Sequence, residues 1–266
     1  MKEKYGDCYA IQDGFLFILR AKRCTQKERV YLFPLGDIQD SPACSRAIDL
    51  IIDDAHSHGS IVRFETITEN SKNFLSEHYK ERFLIEEKRD NSEYIFSREK
   101  IAKFEGKEYE EKRWEIHKFQ KEYKDRFEIK PLSSAHFDEI ISFTKKWYEN
   151  FTSPETQAQL FAEECALKFA FEHFDDLGLD GIVILVDNKI AAYAYGMSLN
   201  QTMYDGFMEK ADRSYKYIYQ MLNHSVAQYC KEGIEWLNWE EDLGHEGLRK
   251  MKLSYKPIAL LRYRKG

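Results

Sequence analysis

No two of the five cysteines, Cys8, Cys24, Cys44, Cys165 and Cys230, stand at the spacing of a metal site or a redox pair, and their number is odd. The spacing excludes a disulfide scaffold, and the thiols read as free groups of a reducing compartment. No apolar run exceeds strand length. Residues 15–19 and 182–186 are such runs, far short of the roughly 20 residues of a membrane span. The N-terminus lacks the apolar segment of a secretory signal. A cytoplasmic protein without transmembrane segments is expected. Positive charge is also in deficit: 40 lysines and arginines face 46 aspartates and glutamates. The formal charge of −6 excludes binding to nucleic acid by bulk charge, so no DNA partner is expected, and only a local basic patch stays open. No stretch rich in proline, glycine or serine marks a linker.

What is present is the material of two ordinary domains in 266 residues. Residues 127–131 form a short strand ending at proline. Ser134 starts a helix with Phe137, Ile140, Ile141 and Trp147 at helical spacing. Pro154 opens a second helix that stops before Gly178. Residues 182–186 and 191–198 read as a hairpin turning at Asp187-Asn188. A strand at 202–211, a helix at 215–232 stopped by Gly233, a strand at 234–239, a helix at 246–254 and a strand at 257–263 follow. The N-terminal half reads as strands at 9–19 and 29–35, a helix at 45–57 stopped by Gly59, a strand at 61–66, a helix at 72–82 and a strand at 93–96. Helix, glycine, strand, helix, strand thus occurs at 45–96 and again at 215–263, a weak internal repeat. The boundary is expected near residues 123–127, giving domains 1–124 and 125–266.

Charge concentrates in two places. Residues 237–257 read LNWEEDLGHEGLRKMKLSYKP. Glu240, Glu241 and Asp242 follow a strand at the carboxyl end where open α/β sheets bind ligands, and a carboxylate there can take a proton from an amine or hydroxyl. Arg249 and Lys252 lie beyond, on one face of the next helix. The same charges also suit the poles of a helix dipole, and both readings stand. In a helix at 107–123, Lys112 and Arg113 border the apolar stripe Tyr109, Ile116, Phe119 and Tyr123. They suit an anion in a cleft, or an ion pair to the acidic run. Trp114 and His117 share the other face, as a solvated pair or a partner surface. His56 and His58 resemble a metal pair but belong at a helix end beside Gly59. No third ligand accompanies them, so no metal is expected, and no Ser-His-Asp or Cys-His nucleophile is legible.

The element order of the C-terminal half is that of the acetyltransferase-like (GNAT) fold. Residues 97–123, with FEGKEYEEKRWEIHKF, and 207–257, with EKAD, YIYQMLN and EEDLGHEGLRKMKLSY, resemble an uncharacterised bacterial family similar to the C-terminal domain of phosphatidylglycerol lysyltransferases. Those enzymes move an aminoacyl group from tRNA to a lipid. The resemblance implies an α/β protein of tandem GNAT-like domains, mixed sheets flanked by helices, the first one incomplete. It implies an acyl- or aminoacyl-group transferase with an aminoacyl donor such as aminoacyl-tRNA. Glu240 and Asp242 would be catalytic, and Lys112, Arg113, Arg249 and Lys252 substrate-binding, in a cleft near the domain junction. The alternative is a non-catalytic module binding an anionic small molecule or a protein there. The chain departs from the family pattern at Trp114, where asparagine is usual, and at Trp239, where arginine is usual. GNAT enzymes hold the pyrophosphate of coenzyme A on a glycine-rich turn that would fall at residues 214–219, SYKYIY. No glycine is present, so no cofactor is expected.

Overall fold

Asp13-Gly14 and Asp187-Asn188 each place two residues at positive φ, the left-handed pair that closes a two-residue hairpin. The first joins strands β1 (Cys8–Gln12) and β2 (Phe15–Leu19). This computed structural model describes residues 7–25, 27–149, 154–262 and 264–265. Strand β3 (Glu28–Leu32) pairs antiparallel with β2, helix α1 (Ser41–Ser57) crosses over, and β4 (Ile61–Glu65) pairs parallel with β3. Helix α1 starts at Ser41 rather than at 45, because the Asp40 side chain caps the Ala43 N–H and Pro42 suits the first turn. His56 and His58 lie in its last turn and C-cap. The stripe Cys44, Ile48, Ile51 and Ala55 packs against Phe64, Ile67 and Leu75. Helix α2 (Glu69–His78), capped by Thr68, and β5 (Glu86–Glu87) complete this part.

The second part opens with β6 (Glu93–Ser97), α3 (Arg98–Lys103), α4 (Glu110–Glu122), β7 (Phe127–Pro131), α5 (Phe137–Glu149) and α6 (Pro154–Glu172). The proline start of α6 is as expected; Ser153 before it lies outside the described residues. Strands β8 (Leu179–Val186), β9 (Lys189–Ser198) and β10 (Met203–Ala211) form a meander. Helix α7 (Ile218–Tyr229), β11 (Trp236–Asn238), α8 (Glu246–Ser254) and β12 (Ala259–Leu261) follow, and β13 (Arg264–Lys265) pairs with β5. The sheet runs β12-β6-β11-β10-β9-β8-β7. Strand β9 is buried on both faces along its centre, as its unbroken run IAAYAY implies. One face carries α4 and α7 through Ile116, Phe119, Ile218 and Leu222, and the other carries α5 and α6 through Ile140, Leu167 and Phe171.

Of the expected repeat the helix and the strand after it recur, as α1-β4 and α7-β11, and the likeness extends back from them. A hairpin, a third strand, a helix and a parallel fourth strand occur as β1-β2-β3-α1-β4 and as β8-β9-β10-α7-β11. Among the described residues, nothing before β1 corresponds to β7, α5 and α6. Two compact units result, one holding residues to Ser92 with Leu261 onward, the other Glu93–Leu260. The division therefore falls at Ser92, and the turn near Tyr123 lies inside the second unit. The physical reason is β6. It is the last strand of the first copy by sequence, yet its backbone pairs antiparallel with β11, Trp236 opposite Ser97 and Asn238 opposite Ile95. α3 and α4 follow it into the second unit.

Candidate functional site

Strand β10 pairs in parallel with β11 only from Met203 to Asp205. Strand β11 stops at Asn238, while β10 continues to Ala211 on its β9 side. A bulge between Gly206 and Met208 reorients this continuation. Its β9 partner must be Gly196, since a Cβ there would sit 1.9 Å from the Asp205 carbonyl oxygen. The unpaired edge of β10 opens onto a cavity of about 750 Å³, walled by Tyr195, Tyr219, Trp147 and Met251, and carrying Glu209 and Glu240. Every lining residue lies between Trp147 and Lys252, inside the second unit.

Glu240 and Glu241 of the acidic run line this cavity, and the carboxylates of Glu240 and Asp242 have different fates. Asn238 Oδ1 accepts the Glu240 N–H at 2.9 Å, and the Tyr94 N–H donates to the Glu240 carbonyl at 3.1 Å. Glu240 is held at φ 54°, a left-handed conformation costly for a side-chain-bearing residue and common at functional sites. Asp242 is wholly buried. Its oxygens accept Arg249 Nε and Nη2 at 2.9 Å each, the Gly244 N–H at 2.9 Å and the Tyr94 hydroxyl. Arg249 first, and then these further donors, hold the Asp242 carboxyl far below the usual range. Lys252 is buried too. Its ammonium donates to the carbonyls of Trp239 (2.5 Å), Glu241 (2.6 Å) and Glu240 (3.3 Å). Arg249 and Lys252 thus grip the loop from α8.

Glu163, Glu209, Glu240 and Glu241 line the cavity, and two of them are shifted strongly. Burial, reinforced by the negative charges of Asp205 and Glu241, raises Glu240 to about 7. Burial raises Glu209 to about 7 as well, against the pull of Lys252 and Lys210. Asp205, at the splay, rises to about 6 through burial and the nearby Glu93 and Glu241. Opposite, Lys210 is buried between the rings of Trp147 (4.3 Å) and Tyr148 (4.6 Å) and is paired with Glu163 at 3.0 Å. Among the described residues, no cluster of three or more His, Cys, Asp or Glu is arranged to hold a metal.

Lys112 and Arg113 do not hydrogen-bond the acidic run, contrary to the expected approach. Lys112 is paired with Glu115, one turn along its own helix, at 3.1 Å and lies 4.6 Å over the Tyr255 ring. Arg113 donates to the carbonyls of Phe104 and Gly106, the latter at 2.6 Å. These oxygens lie where α3 ends at left-handed Phe104, and a guanidinium suits such a C-terminus. Arg113→Ala is expected to lower stability by about 1.5–3 kcal/mol, the range for hydrogen bonds to a charged donor. Ligand affinity per folded molecule should stay unchanged. Thermal melts and titration of one ligand on both proteins check this.

The turn between β10 and α7 is occupied by its own chain. Asp212 Oδ1 accepts the Ser214 N–H at 2.9 Å, and the Asp212 carbonyl accepts the Tyr215 N–H at 3.1 Å. Tyr215 packs on Tyr123 and Tyr217 on Trp114. A pyrophosphate would meet a carboxylate and no available amide at these two positions. Acetyl-CoA is therefore expected to bind weakly or not at all. Tight binding in a calorimetric titration, with the pyrophosphate on this turn, would contradict the account.

The sequence model described as phosphatidylglycerol lysyltransferase, C-terminal, matches residues 1–264. The chain belongs to this family. A conserved protein of unknown function from Bacteroides thetaiotaomicron is 29% identical, with a TM-score of 0.84 over 97% of this chain and 84% of that one. The L-PGS structure from Bacillus licheniformis superposes with a TM-score of 0.68 at 15% identity, over 97% and 83%. An uncharacterized protein of Mycoplasmoides gallisepticum is 23% identical over 172 residues, 65% of this chain, which spans about half (54%) of that protein. The fold is the tandem GNAT-like one. Trp239 packs on Phe96 and Tyr255 (4.1 and 5.0 Å), so this position serves the core of the loop. No helix among the described residues is long and apolar enough to cross a membrane. Glu209 and Lys210 belong to the EKAD motif and, on physical grounds, read as a charged strand end. Charged residues at the end of an otherwise apolar strand were the signal available.

Proposed function

We propose that the protein is an aminoacyl-group transferase that uses the cavity between β10 and β11. The observation carrying this reading is the pair Glu209 and Glu240, two carboxyls raised to about 7 in one aromatic-walled space. A base titrating near the working pH is suited to proton abstraction. In this reading the amine or hydroxyl of the acceptor attacks the ester carbonyl of the donor. Its proton passes to Glu240, the acyl carbon–oxygen bond breaks, and the leaving hydroxyl recovers the proton. Glu209, with Tyr219 and Trp147, provides a negative, aromatic surface for the ammonium of an aminoacyl group. In this reading Asp242, Arg249 and Lys252 shape the loop and fix Glu240. The turn obstructed by Asp212 favours an aminoacyl ester such as aminoacyl-tRNA over a coenzyme A thioester. Mass spectrometry of material retained by purified Glu240→Gln protein tests this. An aminoacyl ester of RNA is expected, and a retained acyl-CoA would overturn the proposal.

A further inference from the structure

We propose that the exposed face of α4 around Trp114, with the turn before α7, is a docking track for a single-stranded RNA end leading to the cavity. This rests on the transferase reading for its purpose, but on separate residues for its evidence. Trp114 is half exposed, unusual for so large a ring on a helix of this polarity. It is not loose: its ring meets Tyr217 edge-to-face at 5.5 Å, and Lys118 lies 5.2 Å over it. Tyr217 is itself fixed in the left-handed region at the start of α7. Helical spacing puts His117, Lys118 and Lys121 on the same face as Trp114, and exposed Lys216 adjoins Tyr217.

The track continues. The turn at Arg213, Ser214 and Tyr215 borders a second cavity of about 670 Å³, to which Lys146 and Lys189 also contribute. Trp147 and Arg213 line both this cavity and the one carrying Glu240. The carboxylates along the second cavity are engaged locally. Glu139 accepts the Ile190 N–H at 3.0 Å, and Asp212 caps Ser214. Lys118, Lys121, Lys146, Lys189 and Lys216 form no ion pair among the described residues. Glu110 and Glu111, at the start of α4, and Glu122, beside Lys121, are exposed acidic neighbours of this face, and Glu122 accepts the Tyr123 hydroxyl.

An exposed ring followed by spaced cations matches what a single strand offers, a base to stack and phosphates at intervals. A membrane-seated face would surround the tryptophan with aliphatic side chains. Here its helical neighbours on that face are Glu110, Glu111, His117, Lys118 and Lys121.

The test is fluorescence anisotropy of a labelled single-stranded oligoadenylate of about ten nucleotides, titrated with the full chain at several salt concentrations. Salt-sensitive binding is expected, about tenfold weaker in Trp114→Ala and largely kept in Trp114→Phe. A Lys118→Glu, Lys121→Glu double variant should also bind weakly, with a shallower salt dependence. Circular dichroism should show all three folded. No binding by the native protein overturns the inference, as does equal binding by Trp114→Ala. Trp114-dependent binding to phosphatidylglycerol vesicles in place of the oligonucleotide also overturns it. The two proposals fail separately. Glu240→Gln should bind the oligonucleotide like the native protein. If Trp114→Ala binds normally while transfer still requires Glu240, only the docking track is refuted.

Discussion

Replacing Glu240 by glutamine is expected to lower aminoacyl transfer at least about a hundredfold, the lower range for loss of a positioned general base. Glutamine keeps the size and the polar oxygen of the side chain, and the backbone contacts of Glu240 to Asn238 and Tyr94 do not involve the carboxylate. The loop should therefore persist. The pH dependence carries a separate signature. A base at about 7 is inactive when protonated, so the native rate should rise with pH through about 7 and level above it. The residual rate of the glutamine variant should lack that limb. Stability moves the other way. The folded value of Glu240 lies above the ordinary carboxyl value of about 4.3, so the folded state binds the proton more tightly. Stability is lost as pH rises from about 4 through about 7, and the variant should lose less of it. Measured rates and melting temperatures across this window check both statements.

Replacing Arg249 by methionine is expected to cost about 3–5 kcal/mol, the range for stranding a buried charge. Asp242 is wholly buried, and Arg249 supplies two of its donors. Tyr94 and the Gly244 N–H stay, but neither brings positive charge. The melting temperature should fall by on the order of 10 °C for a chain of this size. The sign with pH follows from the lowered Asp242 value. Its contribution is full above the ordinary carboxyl value near pH 4 and is lost as pH falls below it. In Arg249→Met this acid-side loss should shrink. An Arg249→Met, Asp242→Leu double variant should recover much of the stability, because no charge is left unpaired. A single variant as stable as the native protein would show that Arg249 does not hold the loop.

Much of the fold is local in origin and was readable. Helix α8 occupies residues 246–254 as expected from its charges and period, and Asp187-Asn188 makes the expected turn. The repeated β-α-β is present in both halves with parallel pairing. The position of β6 was not readable, because strand order does not say which sheet accepts a strand, and β6 leaves its own copy for the other. In the site, Glu240 and Asp242 are two residues apart and chemically alike. One is turned into a cavity and raised toward neutrality; the other is sealed among four donors. Only the path of the backbone, through left-handed Glu240 and Leu243, separates them. For Lys112 and Arg113 the sequence suggests an anion in a cleft or the distant acidic run, whereas nearer partners are available. Glu115 stood one turn away, and the carbonyls of Phe104 and Gly106 became visible only with the end of α3.

The central claim is that this cavity transfers an aminoacyl group from an RNA ester. The most direct measurement is to incubate the purified protein with bulk tRNA charged with labelled amino acids and with a cell extract as source of acceptor, beside a parallel reaction with labelled acetyl-CoA. The account predicts that label moves from the RNA ester into a new product with native protein, that Glu240→Gln leaves it on the RNA, and that acetyl-CoA gives no transfer. Label passing from acetyl-CoA, or passing from tRNA equally well without Glu240, would contradict it.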